Sequence, residues 1–268
     1  MDHGLIDLGV EPEVAVVAHG QTSAAAPRLA DEAVQLSALW TELTSGSCKV
    51  ENTLFSAESC TLVVRRGQPV ARGPGATLSR RDIGILEQSL LAGVRKSVAV
   101  DHCLCPSSVA EILRRSFLFM GLSCWPSRIP LLIVMAAHAK HAEQSALPAK
   151  RVLAQNQRLS RQSIRASRPD IELAQDLSAA EYGVTRLLVE GKSYAQIAEL
   201  RQTSRRTVAN QLASAFRRLD ISGRSELLCL LAKRQVAAWQ AAGPGPVSGR
   251  AFLLGAEAAA PSLSRVAG

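Results

Sequence analysis

Between Ser204 and Arg218 the chain places Arg205, Arg206, Arg217 and Arg218, with the amides Asn210 and Gln211, and no acid. These side chains supply positive charge and amide hydrogen bonds, but neither a nucleophile nor a general base. Their chemistry is recognition: guanidinium groups neutralise phosphates, and amides pair with base edges. In the same segment Val208, Leu212, Ala215, Phe216 and Leu219 recur at helical spacing, and the basic and amide residues fall largely off that stripe. A helix that buries one face and offers only cations and amides on the other suits a phosphate-lined groove.

The residues around this segment predict the elements that hold it. Ser178 precedes Glu181 by three, the spacing of a capping box, and Leu177 can staple the first turn. That helix runs through Val184, Leu187 and Leu188 to a stop at Gly191. Ser193 and Gln196 repeat the box ahead of a short helix that buries Ile197 and Ala198. Residues Arg201 to Thr203 make the turn, and Ser204 caps the basic helix. Ser222 or Ser225 begins a fourth helix with Leu227, Leu228, Leu230 and Leu231. Short helix, tight turn and longer basic helix is the helix-turn-helix arrangement.

The run Leu-Ser-x-x-Glu, Leu-Leu-Val-Glu-Gly-Lys-Ser, Ile-Ala, Ser-x-Arg-Thr-Val-x-Asn-x-Leu and Phe-Arg-Arg-Leu-x-Ile-Ser-Gly-Arg-Ser-Glu-Leu, from Leu177 to about Leu231, resembles the LuxR-type helix-turn-helix family of bacterial transcription regulators. The sequence departs from that pattern at Arg201 and Gln202, where the family has a buried Leu and a turn Gly, at Gln211 (commonly His) and at Asp220 (commonly Gly). The resemblance implies a set of contacts. Thr207 and the amides near Ser204 would meet phosphate at a helix N-terminus, and Lys192, Ser193, Arg206 and Arg217 would also hold the backbone. Ala209, Asn210 and Ala213 would face the major groove, Asn210 able to bond adenine bidentately. Leu227, Leu228 and Leu231 on the fourth helix would form a dimer contact.

At one constant offset of 99 residues the N-terminal half echoes this unit. Leu78 meets Leu177, Ser79 meets Ser178, Gly84 meets Gly183, Ala99 meets Ala198, Val109 meets Val208, Leu113 meets Leu212 and Phe117 meets Phe216. The fold expected is therefore mainly α, with two tandem tetra-helical helix-turn-helix units, the first degenerate and spanning 78–140. Glu111 takes the place of Asn210, where a carboxylate repels the DNA backbone, so the first copy is expected to pack, dimerise or steady the second. A tandem reader with weak nonspecific contact is the alternative. Each unit is preceded by a segment with strand character, Lys49 to Arg65 and Lys150 to Ala166, and either could be a small hairpin. The second also reads as a solvated basic linker, since six bases and no acid lie between Lys150 and Arg168. The domain plan is a flexible segment 1–28, an N-terminal domain 29–145, a basic linker or hairpin 146–176, the DNA-binding domain 177–235 and a flexible tail 236–268.

Composition bounds the remaining choices. A chain of 268 residues with net charge +8 and 47% apolar residues can bury a core in each of two small helical domains. The phosphate-loop, nucleophile-elbow and H-E-x-x-H zinc motifs do not occur, so an enzyme is not expected, nor a cofactor. His138 and His141, three apart and near Glu143, could hold a metal weakly, but read better as an idle exposed pair. The six cysteines include no C-x-x-C and read as reduced, partly buried thiols. No apolar run approaches the ~18 residues of a membrane span, and no secretory signal opens the sequence, so a cytoplasmic protein is expected. The partners expected are double-stranded DNA, a second copy of the chain on that DNA, and RNA polymerase. A protein-interaction adaptor that reuses helix-turn-helix units is the rival reading, which the four arginines between 204 and 218 disfavour.

Overall fold

A computed structural model describes residues 29–67, 77–92, 95–122, 129–145 and 161–242. The N-terminal segment 1–28, the stretch 146–160 and residues 243–268 lie outside the described residues.

Helix α1 (Leu29–Ser45) buries Leu36, Leu39, Trp40 and Leu43 on one stripe, as their spacing predicts. A hairpin of β1 (Cys48–Phe55) and β2 (Ser59–Arg66) follows, and β3 (Arg161–Ser167) adds to β2, so the sheet is antiparallel with order β1-β2-β3. Alternation decides the inward face: Cys60, Leu62 and Val64 of β2 are buried, and Ile164 and Ala166 of β3 stand opposite Leu62 and Cys60. This corrects the expectation of a hairpin before each unit. The strand ahead of the C-terminal unit has only two apolar inward residues, too few to form a sheet of its own, and it completes the first hairpin instead.

Four helices come between β2 and β3: α2 (Arg80–Ala92), α3 (Arg95–Asp101), α4 (Pro106–Phe119) and α5 (Leu131–Ser145). After β3 a 3-10 turn (Pro169–Glu172) leads into α6 (Leu173–Asp176), α7 (Ala179–Val189), α8 (Tyr194–Leu200), α9 (Arg205–Arg218) and α10 (Arg224–Ala241). Residues Leu131 to Ala139 of α5 are buried without a break. A helix apolar on every side belongs at the centre, and α1, α2 and α10 pack around it. The buried residues of both halves form a single cluster.

Helix α10 runs past 235, where the sequence reading ended the DNA-binding unit. Trp239 is only 5% exposed, and its Nε1 donates to Glu32 at 3.3 Å, which holds the last turns in place. Residues 236–241 therefore belong to the helix and not to a tail. Glu32, buried on α1, also accepts from the backbone N–H (3.2 Å) and hydroxyl (2.7 Å) of Ser167 and from Gln235 at 3.4 Å. One carboxylate thus ties α1, β3 and α10 together.

Arg168 ends the run of bases that reads as a solvated linker, yet it is 3% exposed. Its guanidinium donates to both oxygens of Asp170 (3.0 and 2.7 Å), to Glu190 at the end of α7 (3.0 Å) and to the Ser56 carbonyl (2.9 Å), and stacks 5.2 Å over the Phe55 ring. These bonds engage every nitrogen of the buried guanidinium, as its burial demands.

His138 and His141 do not act as a pair. His141 is exposed, whereas His138 is buried in the α5 core with its Nε2 unpartnered. Among the described residues no group of three His, Cys, Asp or Glu is placed to hold a metal ion. Burial holds the His138 imidazole down at about 4, with a smaller opposing effect from a hydrogen bond to the Leu90 carbonyl and small downward ones from Lys233 and His141. The folded form then binds this proton less readily than the unfolded chain, so stability is full above pH ~6.5 and falls as pH drops from there toward 4. We expect the folding free energy to decrease through that window by up to about 1.4 kcal/mol per pH unit from this group, and His138→Leu to flatten the slope. Urea titrations at several pH values measure it, and an equal slope in the variant would remove His138 as the cause.

Candidate nucleic-acid interface

Local signals set the three helices of the interface. Ser178 accepts from the Glu181 N–H while the Glu181 carboxylate accepts from Ser178, and Ser193 and Gln196 make the same reciprocal box. Ser204 caps α9, its hydroxyl accepting from the Thr207 N–H at 3.0 Å. The turn between α8 and α9 is tight although it lacks glycine: Gln202 adopts φ +50°. Thr203 N donates to the Ala198 carbonyl at 2.9 Å and closes it. Arg201, in the place of a buried Leu, stays exposed and lays its guanidinium against Gly183 of α7, where a Cβ would collide with it. The departures at Arg201 and Gln202 are thus absorbed without opening the turn.

Helix α9 packs on α7 and α8 through Val208, Leu212 and Ala215, all fully buried. A second clamp is polar. Glu181 is buried, and its carboxyl is held down to about 2, first by the Ser214 hydroxyl of α9, then by the backbone and side chain of Ser178, with a smaller contribution from Arg218. Arg218 lies 3.4 Å from the same carboxylate, so it braces α9 against α7.

The opposite face of α9 is exposed at Arg205, Arg206, Thr207, Asn210, Ala213 and Arg217, together with Lys192 at the α7–α8 junction. Ser193 and Ala209 are half-buried beside them. Among the described residues Arg205, Arg206, Arg217 and Lys192 have no ion pair. Gln211 departs from the expected set: it is half-buried, and its Oε1 is shielded without a partner. The surface is a cationic strip along a capped helix whose N-terminal end carries partial positive charge, an arrangement that attracts phosphate.

Leu227, Leu228 and Leu231 of α10 are 0–1% exposed and turned into the chain's own core. A second copy cannot reach them in this conformation. Arg224, part of the family run but given no role by it, joins α7 to the segment before α5: it donates to the Leu188 carbonyl (2.9 Å) and the Val189 carbonyl (3.3 Å), and to the Ile129 carbonyl (2.9 Å). It thereby adds a charged donor to carbonyls at the end of α7, of which that of Leu188 also accepts from the Gly191 N–H at 3.0 Å.

Residues 175–231, about a fifth of the chain, match the GerE family model, bacterial regulatory proteins of the luxR family. No curated protein and no solved structure matches the chain. The match identifies the C-terminal helices as a LuxR-type helix-turn-helix, a DNA-binding fold of transcription regulators, and supports a regulator of that general kind. No described helix is long and apolar enough to cross a membrane.

A residue with a side chain at positive φ carries strain that glycine does not. We expect Gln202→Gly to raise stability by about 0.5–1 kcal/mol, the relief of strain exceeding the added freedom of the unfolded chain. Chemical denaturation would report it as a higher midpoint at unchanged slope, and a lower midpoint would mean that the Gln202 side chain contributes more than its backbone costs.

Proposed function

We propose that the chain is a sequence-specific DNA-binding transcription regulator that reads duplex DNA through α9. The observation that carries this reading is the outward strip of Arg205, Arg206 and Arg217, free of ion pairs among the described residues and free of acids along the helix. Arg206, Arg217, Lys192 and the first-turn amides near Ser204 and Thr207 hold phosphates. Asn210 reads a base edge, and Ala209 and Ala213 allow close approach to it. Gln211 acts through packing, and Arg218 positions α9 through Glu181. RNA polymerase is the partner through which such a protein would act, and the cytoplasm is where it would meet its DNA.

A second, degenerate helix-turn-helix unit in α2–α5 is part of the proposal. Its support is register. Helix α3 at 95–101 and α4 at 106–119 carry the bounds of α8 at 194–200 and α9 at 205–218, shifted by 99 throughout. The positive-φ residues Cys103 and Gln202 differ by the same 99. So do the turn-closing bonds Leu104 N to the Ala99 carbonyl and Thr203 N to the Ala198 carbonyl, at 2.8 and 2.9 Å. The first unit caps α2 with Ser79, whose hydroxyl accepts from Asp82 N at 3.0 Å.

Two substitutions test the reading. Arg206→Ala is expected to weaken all duplexes about equally and to reduce the salt slope of binding by ~1. Asn210→Ala is expected to relax the preference at one base pair, at a cost of ~1–3 kcal/mol on the best site. Binding isotherms at several salt concentrations, on a preferred site and its single-base variants, measure both. A change of sequence preference in Arg206→Ala, or none in Asn210→Ala, would contradict the assigned roles, and no binding to any duplex would favour an adaptor of proteins.

A further inference from the structure

We infer that the α2–α5 unit is a built-in partner for the DNA-binding unit, so that one chain alone is the DNA-binding assembly and presents a single reading helix. This rests on the reading that α9 binds DNA.

The first observation is the seam between the units. Helix α5 lies against α10, and shifting its range 131–145 by 99 gives 230–244, which overlaps the second half of α10. The two units therefore meet through corresponding helices. Leu227, Leu228 and Leu231 are buried in the common core, and polar ties hold α10 to the first unit: the Cys229 thiol donates to the Leu90 carbonyl of α2 at 2.8 Å, and Gln235 and Trp239 reach Glu32. What remains exposed on α10 is Lys233, Ala237, Gln240 and Ala241. None of the large hydrophobic side chains exposed among the described residues lies on α10. An apolar stripe with which α10 could join a second copy is thus already covered from within.

The second observation is the face of α4. At the same offset the four arginines of α9 are replaced: Pro106 for Arg205, Ser107 for Arg206, Leu118 for Arg217 and Phe119 for Arg218. The cations α4 does carry are engaged. Arg114 makes a two-pronged pair with Glu111 (2.8 and 2.7 Å), and Arg115 pairs with Asp82 at 3.0 Å. A face with an acid in place of the amide and its arginines neutralised has little to offer phosphate. It keeps the architecture of a reading unit without its chemistry.

Together these make an internal, asymmetric pair: one unit reads, and the other covers the helix that would otherwise need a partner. A symmetric dimer binds inverted half-sites. The asymmetric pair requires a single contiguous block without inverted repetition, bound by one chain.

Native mass spectrometry of the full chain, free and on a duplex selected from a random pool, tests this. One chain in the free protein at micromolar concentration, and one chain per duplex at saturation on a motif without two-fold symmetry, are expected. Glu111→Ala and Arg114→Ala are expected to change affinity by less than about twofold and to leave the motif intact. A free dimer, two chains on inverted half-sites, or loss of part of the motif in either variant would overturn the inference. A chain that selected no duplex would strike the DNA reading itself, while its free mass would still decide the pairing, one chain supporting it and two overturning it.

Discussion

A guanidinium taken out of water must have its donors satisfied, and the burial of Arg168 imposes that demand at the point where the two halves meet. Its partners come from three places: the β1–β2 turn through the Ser56 carbonyl, the 3-10 turn through Asp170, and the end of α7 through Glu190. Removing Asp170 would break a buried two-pronged pair, which typically costs about 3–5 kcal/mol, about the scale of a marginal domain's whole stability. The position of α7 relative to the sheet is therefore specified rather than merely permitted. Since α9 packs on α7 and is clamped to it through Glu181, the orientation of the cationic strip follows from this buried charge.

The apolar part of the same joint is α5. Surrounded by α1, α2 and α10, it makes one core of what the sequence divides into two domains. This continuity has a consequence for motion. A DNA-binding unit on a loose tether reorients freely, whereas here α10 would have to leave a buried seam, and Trp239 and Gln235 would have to leave the Glu32 carboxylate, before α9 could turn away. The energetic arrangement favours a fixed presentation of the reading surface.

The C-terminal helices were legible because their signals are local. Ser178 with Glu181, and Ser193 with Gln196, each declare a helix start within four residues, and the stripe from Val208 to Leu219 declares a buried face. The stripe of Leu36, Leu39, Trp40 and Leu43 and the apolar run from Ile129 to Ala139 are local signals of the same kind, though neither names its neighbours. What escaped depends on contacts between residues far apart in sequence. Arg168 looks like any base in a basic run until Ser56 and Glu190 enclose it. The strand at 161–167 is polar enough to read as a linker, and only its pairing with β2 makes it structure. The leucines of α10 carry an apolar pattern that says they are buried, but not whether the partner lies in the same chain. At the interface itself, periodicity placed the arginines outward, yet it did not distinguish Arg218, drawn back to Glu181, from Arg217, nor the half-buried Gln211 from the exposed Asn210.

The central claim is that α9, held by a rigid N-terminal base, is the surface that meets DNA. Amide hydrogen exchange of the full chain with and without excess duplex tests it most directly. The account predicts slower exchange at the α8–α9 turn and the first turns of α9, with α4 and the α5–α10 seam unchanged. Protection that appeared on α4 instead, or faster exchange along α5 and α10 on binding, would contradict it.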